Sequence, residues 1–273
     1  VDLSNGKLIS QIFALSDDIQ AGSFIQFAAY WRGVPMDEPY FVRTDPQPGM
    51  STIYGLSGNW ACGAIQTQER SYSRLWNLAE DTLLDLSPEG TSNSGAWAID
   101  GATASDPGVQ VGKADTGAAL WRGIAQSYVN LHPDNLATES DAWAVHGNMQ
   151  GGYAIAKDEM KEHAFIWSGS AESAVDIHPI YILGASRSYI HGMADGLQVG
   201  FVEFNEESYR VRAFLWRGNA ADTFDLHSLL PEKYSWSWAW AVEKAGNEIR
   251  VVGSAFNDDL DRQEAILWRY TAP

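Results

Sequence analysis

The sequence predicts an all-β fold: a six-bladed β-propeller of four-stranded antiparallel blades, one domain spanning residues 1–273. Three observations predict it: a tryptophan that returns at near-constant spacing, a glycine that returns behind it, and chain ends that fall out of phase with the repeat. The tryptophans are Trp31, Trp76, Trp121, Trp167, Trp216 and Trp268, separated by 45, 45, 46, 49 and 52 residues, a period expected of propeller blades and similar arrays. Six repeats give six blades; a five-bladed ring with an unusual terminal pairing is the alternative.

Each copy holds four short segments, a to d, separated by turn signals such as Asp100-Gly101, Gly147-Asn148 and Asp195-Gly196. Segment a is a small-aromatic-small phrase, AWAI at 96–99 and AWAV at 142–145 and 239–242, with degenerate forms at 13–15, 54–56 and 191–193. Segment b carries the glycine, at Gly22, Gly63, Gly112, Gly152, Gly200 and Gly253, and glutamine stands two before it at Gln20, Gln110, Gln150 and Gln198. A glycine fixed within a strand implies a bulge or a close backbone approach. Segment c ends on the tryptophan, with a small residue three before it (Ala28, Ser73, Ala118, Ala164, Ala213, Ala265). Segment d opens nine residues after the tryptophan, as in DLSP, NLHP, DIHP and DLHS. Val1-Asp2-Leu3 matches d and Ala265–Trp268 matches c, so the N-terminal strand is expected to complete the last blade and close the ring, removing exposed sheet edges.

Composition narrows the partners. The 273 residues are 45% apolar with 12 Trp, and 18 basic against 35 acidic residues give a formal charge of −17. Such a field repels phosphate backbones and anionic lipid, so nucleic acid is excluded, while neutral ligands and cations are compatible. No apolar run approaches the ~20 residues of a membrane helix, so no membrane insertion is expected. Cys62 is alone, which excludes an intrachain disulfide and any Cys/His zinc spacing. The opening VDLSNGK has no basic-then-apolar leader, so the chain reads as cytosolic or already processed.

The triplet His163-Ala164-Phe165, with RAFLW at 212–216 and AALW at 118–121, resembles the bacterial HAF extracellular repeat family. As repeats the likeness covers nearly the whole chain, though one copy alone keeps all three letters. It implies a secreted or cell-surface bacterial propeller and says nothing of chemistry.

Four places could carry function. The second residue of each a phrase, Phe13, Tyr54, Trp97, Trp143, His191 and Trp240, would stand at one height around the axis. Phe13, Tyr54, Trp97, Trp143 and Trp240 could stack on a glycan, or could be core wedged between blades. Repeat five breaks the pattern with Arg187, Tyr189 and His191, two apart on a strand and hence on one side. They form a candidate catalytic set, Arg neutralising a uronate and His or Tyr taking the proton. His132, His178 and His227 recur after segment d; a turn hydrogen bond explains them better than a metal. The acidic run Asn257-Asp258-Asp259-Leu260-Asp261, with Glu264, could hold calcium but lacks EF-hand spacing and reads as a solvated tip; no other cofactor is suggested. No G-x-S-x-G, Walker A, G-x-G-x-x-G or H-E-x-x-H pattern is present. The expected function is a carbohydrate-binding module, with a polysaccharide lyase or hydrolase, or a protein-interaction scaffold, as the rival.

Overall fold

The computed structural model describes residues 10–33, 38–43, 49–205 and 210–271. They form six antiparallel meander sheets, and the fold class is the six-bladed β-propeller. Blade 1 is β1 (Ser10–Ser16), β2 (Ile19–Phe24), β3 (Phe27–Arg32) and β4 (Tyr40–Phe41). Blade 2 is β5 (Met50–Ser57), β6 (Trp60–Gln66), β7 (Ser71–Asn77) and β8 (Thr82–Asp85). Blade 3 is β9 (Ser94–Asp100), β10 (Val109–Ala114), β11 (Gly117–Trp121) and β12 (Val129–Asn130). Blade 4 is β13 (Ala137–His146), β14 (Met149–Ala156), β15 (Lys161–Trp167) and β16 (Val175–Asp176). Blade 5 is β17 (Ala185–Ala194), β18 (Leu197–Phe204), β19 (Arg210–Trp216) and β20 (Thr223–Asp225). Blade 6 shows β21 (Tyr234–Ala245), β22 (Glu248–Asn257) and β23 (Arg262–Thr271). Its expected fourth strand, Val1-Asp2-Leu3, lies outside the described residues. Contacts divide the chain into two compact units, residues 1–130 with blades 1–3 and 131–273 with blades 4–6.

Within each unit the recurrent tryptophan is the wedge between its own blade and the one before. Trp76 packs with Ile19, Ala21 and Val42 of blade 1, and Trp121 with Cys62, Leu75 and Leu86 of blade 2. In the second unit Trp216 meets Ala144, Ile166 and Ile177 of blade 4, and Trp268 meets Val199, Leu215 and Leu226 of blade 5. Each indole removed from water contributes on the order of 5 kcal/mol of hydrophobic free energy.

A serine latch ties the same blades through polar atoms. Ser51 of β5 accepts the Ala28 N–H at 2.8 Å, Ser94 of β9 accepts the Ser73 N–H at 3.0 Å, Ser188 of β17 accepts the Ala164 N–H at 2.8 Å, and Ser237 of β21 accepts the Ala213 N–H at 3.0 Å. At Ala28, Ser73, Ala164 and Ala213 the residue three before the tryptophan is thus small because the next blade's hydroxyl must reach its backbone. The recurrent histidines complete this latch instead of serving their own turns. Their Nδ1 atoms lie 2.8, 2.8 and 2.9 Å from Ser140, Ser188 and Ser237. Ser188 and Ser237 thus each stand between a backbone N–H, which the hydroxyl oxygen accepts, and an imidazole Nδ1. Blade 2 has Ser87 in the histidine's place, and there Ser73 supplies its own hydroxyl to Ser94 at 3.0 Å.

The recurrent glycine answers to a bulge in the first strand of every blade. Register slips between Ile12 and Ala14, Ile53 and Gly55, Ala96 and Ala98, Ala142 and Ala144, Ile190 and Gly192, and Ala239 and Ala241. The glycine pairs the residue just before each slip. A Cβ on Gly22, Gly63, Gly112, Gly152, Gly200 or Gly253 would collide with a main-chain carbonyl of that strand, which no rotamer change relieves.

Two outcomes follow for stability. Gly152→Ala, set against the Asp141 carbonyl, should lower stability by about 1–3 kcal/mol, read as a fall in the chemical-denaturation midpoint. His132, His178 and His227 are held below the usual imidazole range, chiefly by burial, His178 at about 4 with the neighbouring His163 as second cause. A histidine whose folded pKa is depressed stabilises the fold fully above its unfolded value near 6.5, and that contribution fades as pH falls from there toward about 4. Thermal scans should show Tm dropping across this window, and His178→Asn, which keeps an acceptor that does not titrate, should flatten the drop.

Candidate functional site

The residue left over at each bulge is the aromatic of the a phrase: Phe13, Tyr54, Trp97, Trp143, His191 and Trp240. An extra residue with no ladder partner re-aims its side chain, and here neighbouring blades use it to touch. In the first unit Phe13 meets Tyr54 at a ring separation of 5.4 Å and Tyr54 meets Trp97 at 5.0 Å. Gly95 makes way for Trp97, whose indole folds over it so closely that a Cβ would strike the ring. In the second unit Trp143 meets His191 at 4.7 Å and His191 meets Trp240 at 4.8 Å. The Trp240 indole N–H is fixed by the Ser254 hydroxyl at 3.1 Å. Phe13 and Trp240, at 48% and 43% exposed, keep large faces open to solvent, and the other four are half-buried.

One pair beyond the bulge, the two units part company. The residue two before each bulge pairs across the ladder with the residue after the recurrent glycine. In the first unit these pairs are Gln11–Ser23, Thr52–Ala64 and Gly95–Lys113. In the second they are Asp141–Tyr153, Tyr189–Phe201 and Trp238–Ser254. The scaffold tolerates serine, alanine or glycine there, so packing does not require the aromatic residues. Their rings join into one belt. Trp143 lies 4.9 Å from Tyr153 and is parallel to Tyr189 at 5.9 Å; Phe201 lies 4.7 Å from Tyr189 and 6.4 Å from Trp238. Trp238 continues to Trp236 at 4.2 Å, which stacks on Phe256 at 5.0 Å. All of these are half-buried, presenting part of each ring to solvent.

Tyr189 and His191 do fall on one side of β17, since both contact Trp143 and Phe201. Arg187 is engaged: its Nε is 2.8 Å from Glu162 and its Nη1 3.6 Å from Glu203. Burial pushes the Tyr153 and Tyr189 phenols up, and surrounding carboxylates push further, Asp141, Glu139 and Glu162 on Tyr153, Glu162 and Glu203 on Tyr189. Burial alone takes His191 down to about 4, so it is a neutral, ring-stacked side chain at pH 7. Sequence reasoning found Trp143, Tyr189, His191 and Trp240 and missed Tyr153, Phe201, Trp236, Trp238 and Phe256.

Other features lie apart from the belt. Glu264 of the acidic loop accepts from Tyr234 at 2.8 Å, Asn257 at 2.9 Å and Arg262 at 2.7 Å, so its carboxylate is committed within the protein. These bonds hold it at about 2. Among the described residues no group of three or more His, Cys, Asp or Glu could hold a metal ion. A polar cavity of about 490 Å³ lies beside Arg212, Asp225 and His227, and an apolar one of about 300 Å³ beside Phe224 and Trp268. The tip of the loop between β16 and β17 exposes Ile180, Tyr181 and Leu183, the last at 99%. No described helix is long and apolar enough to cross a membrane.

No family model matches the chain, and no curated protein sequence matches it. Among solved structures it is similar to a protein described as TolB from Agrobacterium tumefaciens, at 8% identity and TM-score 0.50, covering 86% of this chain and 80% of that one. TolB from Acinetobacter baumannii follows at 9% identity and TM-score 0.46, with 89% of this chain and 59% of that one covered. A chain from the Saccharomyces cerevisiae assembly of Dbp5 with Nup159, Gle1, IP6 and ADP matches at 10% identity and TM-score 0.47, covering 96% and 73%. At such identities the first likeness shows the propeller fold alone.

Proposed function

We propose that this chain is a secreted or cell-surface bacterial binding module of HAF type, and that its ligand is a carbohydrate held against the aromatic belt of the second unit. One observation carries the reading: at equivalent paired positions the first unit uses Gln11–Ser23, Thr52–Ala64 and Gly95–Lys113, whereas the second places Tyr153, Tyr189, Phe201 and Trp238 there, half-buried and joined to Trp143 and Trp240. Rings that the scaffold does not need, yet which keep faces in water, suit stacking on the apolar faces of sugars, and Tyr and Trp make large contacts at small conformational cost.

The state of the titratable groups favours binding over catalysis. A general base works best near the operating pH. Tyr189 is pushed up, His191 is down at about 4, and Arg187 is already held by two glutamates. Protein docking is a second reading with its own observation, the exposed apolar tip Ile180, Tyr181 and Leu183, since such side chains gathered on a loop mark interaction surfaces.

A glycan array with the intact protein is the test. Retained glycans should lose about 30-fold in affinity on Tyr189→Ala or Trp238→Ala, the scale of a buried aromatic hot spot, with the fold checked by circular dichroism at the titration temperature. Silence across the array, with the protein folded, would move the weight to docking, and Ile180→Ser with Leu183→Ser would then be the informative pair.

A further inference from the structure

The basic residue beside the belt looks, from sequence, like a receptor for a sugar carboxylate. Its surroundings argue the reverse. Arg187 is clamped by Glu162 at 2.8 Å and Glu203 at 3.6 Å, so the two carboxylates already outnumber the guanidinium. Glu162 reaches it from β15 of the preceding blade, and Glu203 from the ladder position directly opposite. Both glutamates keep about a quarter or less of their side chains exposed, at 26% and 20%, so screening by salt is reduced there. Asp141 and Glu139 stand on β13, with Asp141 paired across the ladder to Tyr153. Two carboxylates and one guanidinium leave the Glu162–Arg187–Glu203 cluster at a formal −1, beside Tyr189 where this ring meets Trp143.

We infer that the belt selects oligosaccharides bearing free amino groups, and turns away uronates, through the Glu162–Arg187–Glu203 cluster beside Tyr189. This rests on the carbohydrate reading above. A protonated amine gains twice at such a place: from the carboxylates, and from the negative faces of the Trp143, Tyr153 and Tyr189 rings. A uronate meets the same field with the opposite sign. The phenols feel that field as well: burial is the main cause that raises Tyr153 and Tyr189, and neighbouring carboxylates, Glu162 among them for both, add to it. Glu203 behaves alike, its pKa raised by burial and by Glu162 against the pull of Arg187. The chain's net −17 adds a long-range bias of the same sign.

The experiment is calorimetric titration of the intact protein with hexasaccharides of glucosamine, N-acetylglucosamine and galacturonic acid, at pH 6 and low salt. Glucosamine hexamer should bind about tenfold tighter than its N-acetylated form, and galacturonate weakest of the three; raising the salt should compress the difference. Glu162→Gln with Glu203→Gln removes both carboxylates that hold Arg187, taking the cluster from a formal −1 to +1, and should shift preference at least tenfold toward galacturonate, with Tm checked. Should the pair not fold, Glu162→Gln alone carries the same sign at smaller size. Equal affinity for all three sugars, or a preference that these substitutions do not move, overturns the selectivity and leaves carbohydrate binding standing. Binding of none of the three, nor of any glycan on the array, overturns both.

Discussion

One backbone constraint organises this protein: in the first strand of each blade a residue is inserted without a ladder partner, and the strand beside it must bring its main chain in close. That single slip demands glycine opposite, frees one side chain from the alternation of the strand, and throws that side chain toward the neighbouring blade. The tryptophan wedge and the serine latch act on the same blade-to-blade seam, from the third strand rather than the first. Hydrophobic burial gives the seam most of its strength, while the latch fixes its register, because a hydroxyl between a backbone N–H and an imidazole has little room to slide.

The repeated parts were legible because they repeat. The tryptophans, the glycines and the small residue before each tryptophan recur at fixed offsets, and each turned out to answer one steric demand. The reading of the glycines as bulge or close approach holds on both counts. The histidines were recognised as structural, but their partner is a serine eight to ten residues on in the next blade, and contacts between blades leave no local pattern. Ser87 shows the limit of such a pattern: that copy has serine where three others have histidine, and the bond to Ser94 comes instead from Ser73, whose hydroxyl looked merely small when the copies were compared.

The belt was only half legible for the opposite reason. Tyr153, Phe201 and Trp238 occupy positions where other copies hold serine, alanine, lysine, glutamine or glycine, so no recurrence marks them. Their correspondence emerges only when the ladder register says which residues are equivalent. Arg187 looked like a free cation in the sequence for a related cause: Glu162 and Glu203 lie 25 and 16 residues away, Glu203 brought opposite by strand pairing and Glu162 by the packing of the preceding blade.

The pair one step beyond the bulge has a wider consequence for how such a chain changes over time. It belongs neither to the wedge nor to the latch, and the six copies between them have filled it with glycine, amides, hydroxyls, charge and rings. Duplication of the repeat therefore multiplies a permissive position along with a rigid frame. Each copy can change the chemistry of that position independently, and blades can diverge there while their architecture stays under common constraint.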